Sequence, residues 1–243
     1  MSAMARISIG FGVFSSFLFG GLSETTANAQ PQPSATAIVR QVDAAVEARV
    51  ENVAGFTDIE HYAVFRGTDE THPAAQITVK DTYRKGIGKT YTVLSESGSA
   101  VVRKFGLEPL LQHEKEINQP DKVNNSWFTS ANYEMKLNSA DTKQIDGRAC
   151  YALAIMPRYK APNRIDGTLW VDAGSFAIVE VKGIASRRPS VFAGTTQMMR
   201  QYKNIDGYPM ATHARAESES PLFGRTVVMI DYSDYHLEIR RPR

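Results

Sequence analysis

Apolar and polar positions alternate with period two along most of the chain after residue 55, which predicts a β-rich protein. The clearest instance runs from Asp166 to Gly183. Two short apolar runs there flank Ala173-Gly174-Ser175, a loop short enough to fold them back as an antiparallel hairpin. Leu169 and Val171, then Ala177, Val179 and Val181, form one wholly apolar face. Thr168, Trp170 and Asp172, then Phe176, Ile178, Glu180 and Lys182, form the other, apolar at its centre and charged at its end. A sheet with one wholly apolar face has to cover it with helices, a second sheet or a ligand.

The same alternation predicts strands at Ile59–Arg66, Gln76–Lys85 and Lys89–Leu94 before the hairpin. It also predicts Tyr133–Leu137 and Ala149–Met156, and, after the hairpin, Thr195–Lys203, Met210–Glu217 and Gly224–Tyr235. In the last of these Val228, Ile230 and Tyr232 share a face. Asp146-Gly147 suits a type I′ turn, in which both central residues need positive φ. The tripeptide Ile-Asp-Gly recurs at 165–167 and 205–207, again at strand boundaries, with unrelated flanks. Over Thr36–Val53 the spacing changes to three and four: Ile38, Val42, Ala45, Val46, Arg49 and Val50 fall near one stripe. That pattern predicts an amphipathic helix over a sheet, with Ser34 or Thr36 as N-cap. Within Ser95–Gln119, Leu107, Leu110, Leu111 and Ile117 mark a weaker helical insert, with Pro109 near its first turn. Trp127 and Phe128 form a local apolar anchor beyond it. The sum is mainly β: about ten antiparallel strands in meander order, which have to curl strongly or close into a barrel. A curved sheet capped by helices and incompletely filled leaves an apolar hollow.

The N-terminus changes the expected compartment. Arg6, the apolar run Ile7–Leu22 and Ala27-Asn28-Ala29 before Gln30 have the order of a signal peptide cleaved after Ala29. No lipobox cysteine follows. The expectation is therefore a signal peptide at 1–29 and a single exported domain at 30–243, soluble in a periplasm, with no transmembrane segment in the mature chain. A net charge of +2 in 243 residues gives no argument for nucleic acid as a partner. Cys150, the one cysteine, forms no internal disulfide and reads as a buried structural thiol.

Enzyme signatures are missing one by one. Ser95-Glu96-Ser97-Gly98-Ser99 lacks the first glycine of a nucleophile elbow. Gly86-Ile87-Gly88 has no following GK[ST] and reads as a turn. His61, His72, His113, His213 and His236 have no metal-ligand spacing, and His113-Glu114-Lys115-Glu116 lacks the second histidine of a zinc helix. Asp231 and Asp234 lie three apart in a strand and face opposite ways unless a bulge intervenes. No catalytic residue, metal or cofactor is expected, and the protein is expected not to be an enzyme.

Several phrases resemble one family. Tyr91-Thr92-Val93-Leu94-Ser95-Glu96-Ser97-Gly98, Ala131-Asn132-Tyr133, Asp146-Gly147-Arg148-Ala149-Cys150-Tyr151, Gly167-Thr168-Leu169-Trp170-Val171-Asp172 and Phe223-Gly224-Arg225-Thr226 are similar to the outer-membrane lipoprotein-sorting (LolA/LolB-like) family, in a little-characterised bacterial branch. The resemblance covers most of residues 80–237, on strand and turn residues. It implies an open, strongly curved antiparallel half-barrel with a helical lid over an apolar cavity that shelters lipoprotein acyl chains or another lipophile. It also implies inner- and outer-membrane proteins as donor and acceptor. The chain lacks the anchoring cysteine of the receptor-type member and has no match to the functional residues of the carrier type, so none is carried over. Leu169, Val171, Val179, Val181, Val228, Ile230 and Tyr232 are the candidate cavity lining. The alternatives are an envelope-stress sensor or interaction module with a lipid- or peptide-binding groove, and a hydrolase of a lipophilic substrate.

Overall fold

The computed structural model describes residues 33–187, 194–220 and 224–240, and the first element described is a capped helix. Ser34 Oγ accepts from the Ala37 N–H at 3.2 Å and opens α1, Ala35–Asn52. Of its stripe, Ile38, Val42 and Val46 are buried. The expected leader at 1–29 lies outside the described residues.

Ten strands follow: β1 Val53–Arg66, β2 Ala75–Arg84, β3 Gly88–Gly98, β4 Tyr133–Ile145, β5 Arg148–Pro157, β6 Ile165–Asp172, β7 Ile178–Ala185, β8 Thr196–Ile205, β9 Tyr208–Ser220 and β10 Gly224–Ile239. They form one antiparallel sheet in the order β3-β2-β1-β10-β9-β8-β7-β6-β5-β4. The meander from β4 to β10 is therefore completed by β10 pairing with β1, with Val53 opposite Ile239 and Arg66 opposite Thr226. The edges, β3 and β4, do not pair, so the sheet is an open half-barrel.

Between those edges runs the helical insert: α2 Ala100–Val102, a π-helical turn at Arg103–Leu107, α3 Glu108–Ile117 with Pro109 in its first turn, and a 3₁₀ turn at Val123–Ser126. Two helical pieces thus cover one face of the sheet. Under α1 lies a core of Tyr151, Leu153, Ile155, Leu169 and Val171, with Phe128 and Tyr133 at its border. Under α3, Leu107 and Leu111 pack on Tyr62, Val64, Ile77, Val79 and Ile230. Ala63, Phe65 and Val227 make a small cluster on the opposite face.

The turns obey local chemistry. Asp146-Gly147 has φ of 48° and 75°, and Asp206-Gly207 has 50° and 91°, so both hairpins carry the positive-φ pair expected of Asp-Gly. The third Ile-Asp-Gly serves a different need. Gly167 faces Gly183 across β6 and β7, and a Cβ on Gly167 would lie 2.2 Å from the Lys182 carbonyl oxygen. The central hairpin also departs from strict alternation. Its register shifts between Trp170 and Val171, which pairs with Ile178, so Ile178 and Val181 join the same core although they are three apart.

Candidate functional site

Between the C-terminal half of α1, the insert and the covered face of the sheet lies a cavity of about 200 Å³. Val46 and Val50 of α1, Phe56 of β1, Trp127, Phe128 and Met210 give it an apolar wall. Charged residues line it as well: Glu60 from β1, Lys89 from β3, Glu114 from α3, Arg200 from β8 and, next to Val46 and Val50 on α1, Arg49. Tyr83, Tyr202, Tyr232 and Tyr235 complete the lining.

Alternation along β1 explains the acidic residues. Phe56, Asp58, Glu60, Tyr62 and Val64 share one face, so an acidic pair enters the same layer as the core tyrosine and valine. Glu60 is 2 % exposed and fully engaged: the Tyr62 hydroxyl donates to Oε2 at 2.6 Å, and the Lys89 ammonium donates to Oε1 at 2.7 Å. Burial works against the Lys89 charge, but Glu60, Glu114 and Asp81 outweigh it and hold the ammonium above the usual lysine value.

Asp58 and Asp81 face each other directly across β1 and β2, and neither carboxyl oxygen of either has a hydrogen-bond partner. The Tyr235 hydroxyl beside Asp58 donates instead to the Ala211 carbonyl, at 2.8 Å. Burial, with Glu60's charge added, pushes Asp58 up to about 7. Burial pushes Asp81 up to about 8; Lys89 opposes the shift, and Glu60 and Asp58 add to it. Asp58, Glu60 and Asp81 bring ligand oxygens within 4.8 Å of one another, close enough to hold a cation. The Lys89 Nζ already stands among them, 3.8 Å from Asp81 as well as 2.7 Å from Glu60, and supplies that charge.

A bulge in β10 completes the wall. The register with β1 shifts between the Ile59–Ser233 and Thr57–His236 pairs, and Asp234 has φ of 53°. Tyr232 and Tyr235, three apart, therefore both line the cavity, while Asp231 and Asp234 remain exposed. The exception noted for this strand is the one that occurs.

Of the lining candidates read from sequence, Tyr232 borders this cavity. Leu169, Val171 and Val181 are buried beneath α1, and Val228 and Ile230 belong to the core beneath α3. Val179 is 2 % exposed at the irregular pairing of β6 and β7. Arg49 was legible as a member of the α1 stripe, where an arginine among valines and isoleucines is itself a signal. Asp58 and Glu60 were legible as charges at the parity of Tyr62, but Asp81, Lys89 and Arg200 are gathered by strand order alone. Cys150 is fully buried, and burial pushes its thiol up.

No family model and no curated protein matches the chain. Among solved structures it is similar to a LolA superfamily protein from Nitrosomonas europaea, at 15% identity over 86% of this chain and 96% of that one, with a TM-score of 0.46. It is similar to a DUF1329 family protein from Desulfovibrio piger, at 15% identity over 83% and 93%, with a TM-score of 0.41. It is also similar to a domain described as an outer membrane lipoprotein-sorting protein from Vibrio parahaemolyticus, at 11% identity over 82% and 91%, with a TM-score of 0.47.

Proposed function

We propose that this protein is a periplasmic carrier that takes up a lipophile, such as the acyl chain of a lipoprotein, between its helices and the covered face of its half-barrel. The observation that carries this reading is the cavity wall of Val46, Val50, Phe56, Trp127 and Met210, left unfilled where the two core clusters meet. The signal-peptide pattern at 1–29 supports export. The strand and turn phrases similar to the lipoprotein-sorting family support a role in sorting toward the outer membrane, with donor and acceptor proteins in the two membranes. Among the described residues no helix is long and apolar enough to cross a membrane.

At about 200 Å³ the cavity is smaller than the roughly 300–1,000 Å³ of most ligand sites. A long chain enters only if α1 and the insert part. Each methylene then buried contributes about 0.8 kcal/mol, so a long chain offsets the separation of two small helical contacts. The test is native mass spectrometry of the protein purified without detergent from a periplasmic fraction, followed by organic extraction. A bound lipid or acylated peptide is the expected result and identifies the cargo class. A clean apo mass, with no uptake of a fluorescent fatty acid, overturns the carrier reading in favour of an interaction module.

A further inference from the structure

The charges that line the cavity pair off, with one remainder. Lys89 is bonded to Glu60 at 2.7 Å, and Arg200 lies 3.8 Å from Glu114. Arg49 has no such partner: among the described residues no carboxylate comes within ion-pair distance of it, its buried Nε has no acceptor, and one terminal nitrogen meets only the Met210 thioether, at 3.5 Å. A guanidinium keeps its proton at any physiological pH, and a half-buried cation whose inner nitrogen has no acceptor is left without a counter-ion. The phenols of Tyr83, Tyr202 and Tyr235 act on the guanidinium electrostatically, and since the Tyr235 hydroxyl is already donated to the Ala211 carbonyl, Tyr83 and Tyr202 are the two left to donate to an anion. The apolar wall of Val46, Val50 and Met210 begins directly beside it. A forked donor with phenols around it, at the edge of an apolar wall, is the arrangement that receives a planar or tetrahedral oxyanion carrying a hydrocarbon tail.

We propose that the cavity selects lipophiles ending in an anionic group, a carboxylate or a phosphate, with Arg49 as the counter-charge. This rests on the carrier reading and narrows it. An acyl chain in ester or amide linkage is neutral at its attached end, whereas a free fatty acid ends in a carboxylate and a phospholipid headgroup carries a phosphate. The volume, roughly that of seven waters at about 30 Å³ each, accommodates such a head and the first few methylenes before the helices have to move.

The experiment compares the affinities of the full-length protein, expressed with its leader and purified without detergent, for dodecanoate, dodecyl phosphate, dodecanol and inorganic phosphate. The expected result is at least tenfold tighter binding of the two anionic amphiphiles than of dodecanol. In Arg49→Gln the preference collapses to within about twofold, and Arg49→Lys retains part of it. Dodecanoate and dodecyl phosphate separate a carboxylate preference from a phosphate preference, and tight inorganic phosphate identifies a free-anion site, which keeps Arg49's role and removes the carrier. Equal affinity for dodecanol and the anions in the parent protein overturns the headgroup inference and leaves the carrier intact. No binding of any of the four overturns both. If Arg49→Gln fails to fold, the parent comparison still decides the headgroup preference and Arg49→Lys decides the role of Arg49.

Discussion

Asp58 and Asp81 put a proton on the stability curve of this protein. In an unfolded chain both titrate near 3.8, whereas in the fold they are pushed up to about 7 and about 8 by burial, with the charge of Glu60 adding to both. Between those limits the folded state binds protons that the unfolded state lacks, so stability falls as pH rises from about 4 to about 8. Glu70 acts in the opposite sense. Hydrogen bonds from Arg215 and Arg225 lower it to about 2, so its contribution is present above the usual glutamate value and is lost in acid. The melting temperature is therefore expected to peak in mildly acidic buffer and to decline through pH 7–8. Asp58→Asn and Asp81→Asn should each flatten that decline in a thermal-melt series at pH 5, 7 and 9. A decline of undiminished slope in the double variant would place the titrating groups elsewhere. These carboxyls were only half visible in the sequence: their parity in β1 is readable, but the pairing of β1 with β2 that buries Asp81 against Asp58 is not local information.

Strands and helices, by contrast, announce themselves. Ten strands and both helical regions follow from period and turn chemistry, with α1 displaced by a single residue at each end from its sequence reading of Thr36–Val53. What escapes a strict period of two is the bulge, since one extra residue inverts parity for the remainder of the strand. Asp234 does this to β10, and the irregular start of β7 does it to Ile178. The π-helical turn at Arg103–Leu107 escapes likewise; within it Phe105 is 73 % exposed and Leu107 is buried. A sharper expectation attaches to Gly167. Its Cβ would meet backbone on the adjacent strand, and backbone cannot swing away as a flexible side chain does. Gly167→Ala should cost about 1–3 kcal/mol, within the range of overpacking substitutions. Alanine at Gly147, where nothing lies within 4 Å, meets only the milder penalty of positive φ. Paired urea titrations of the two variants measure the difference, and equal losses would mean that β6 and β7 separate easily there.

Taken together, the two helical covers seat on different halves of the sheet, and the cavity is the seam between them. Trp127 stands on that seam, while Trp170 lies on β6 with the Lys143 ammonium 5.5 Å over its ring. Uptake of a lipophile is therefore expected to shift the emission of Trp127. The shift should survive Trp170→Phe and vanish in Trp127→Phe; the reverse pattern would put the ligand elsewhere on the sheet.

The insert between β3 and β4 carries a further consequence. An open arch under load spreads at its feet, and builders restrain it with a tie. Here the feet are the two unpaired edges, and the chain from Ser99 to Asn132 is the tie, leaving one edge at Gly98 and reaching the other at Tyr133. The half-barrel can flatten only as far as that segment extends, so the hollow has a built-in maximum span. Severing the backbone anywhere along the tie would detach no piece of the protein and yet remove that limit.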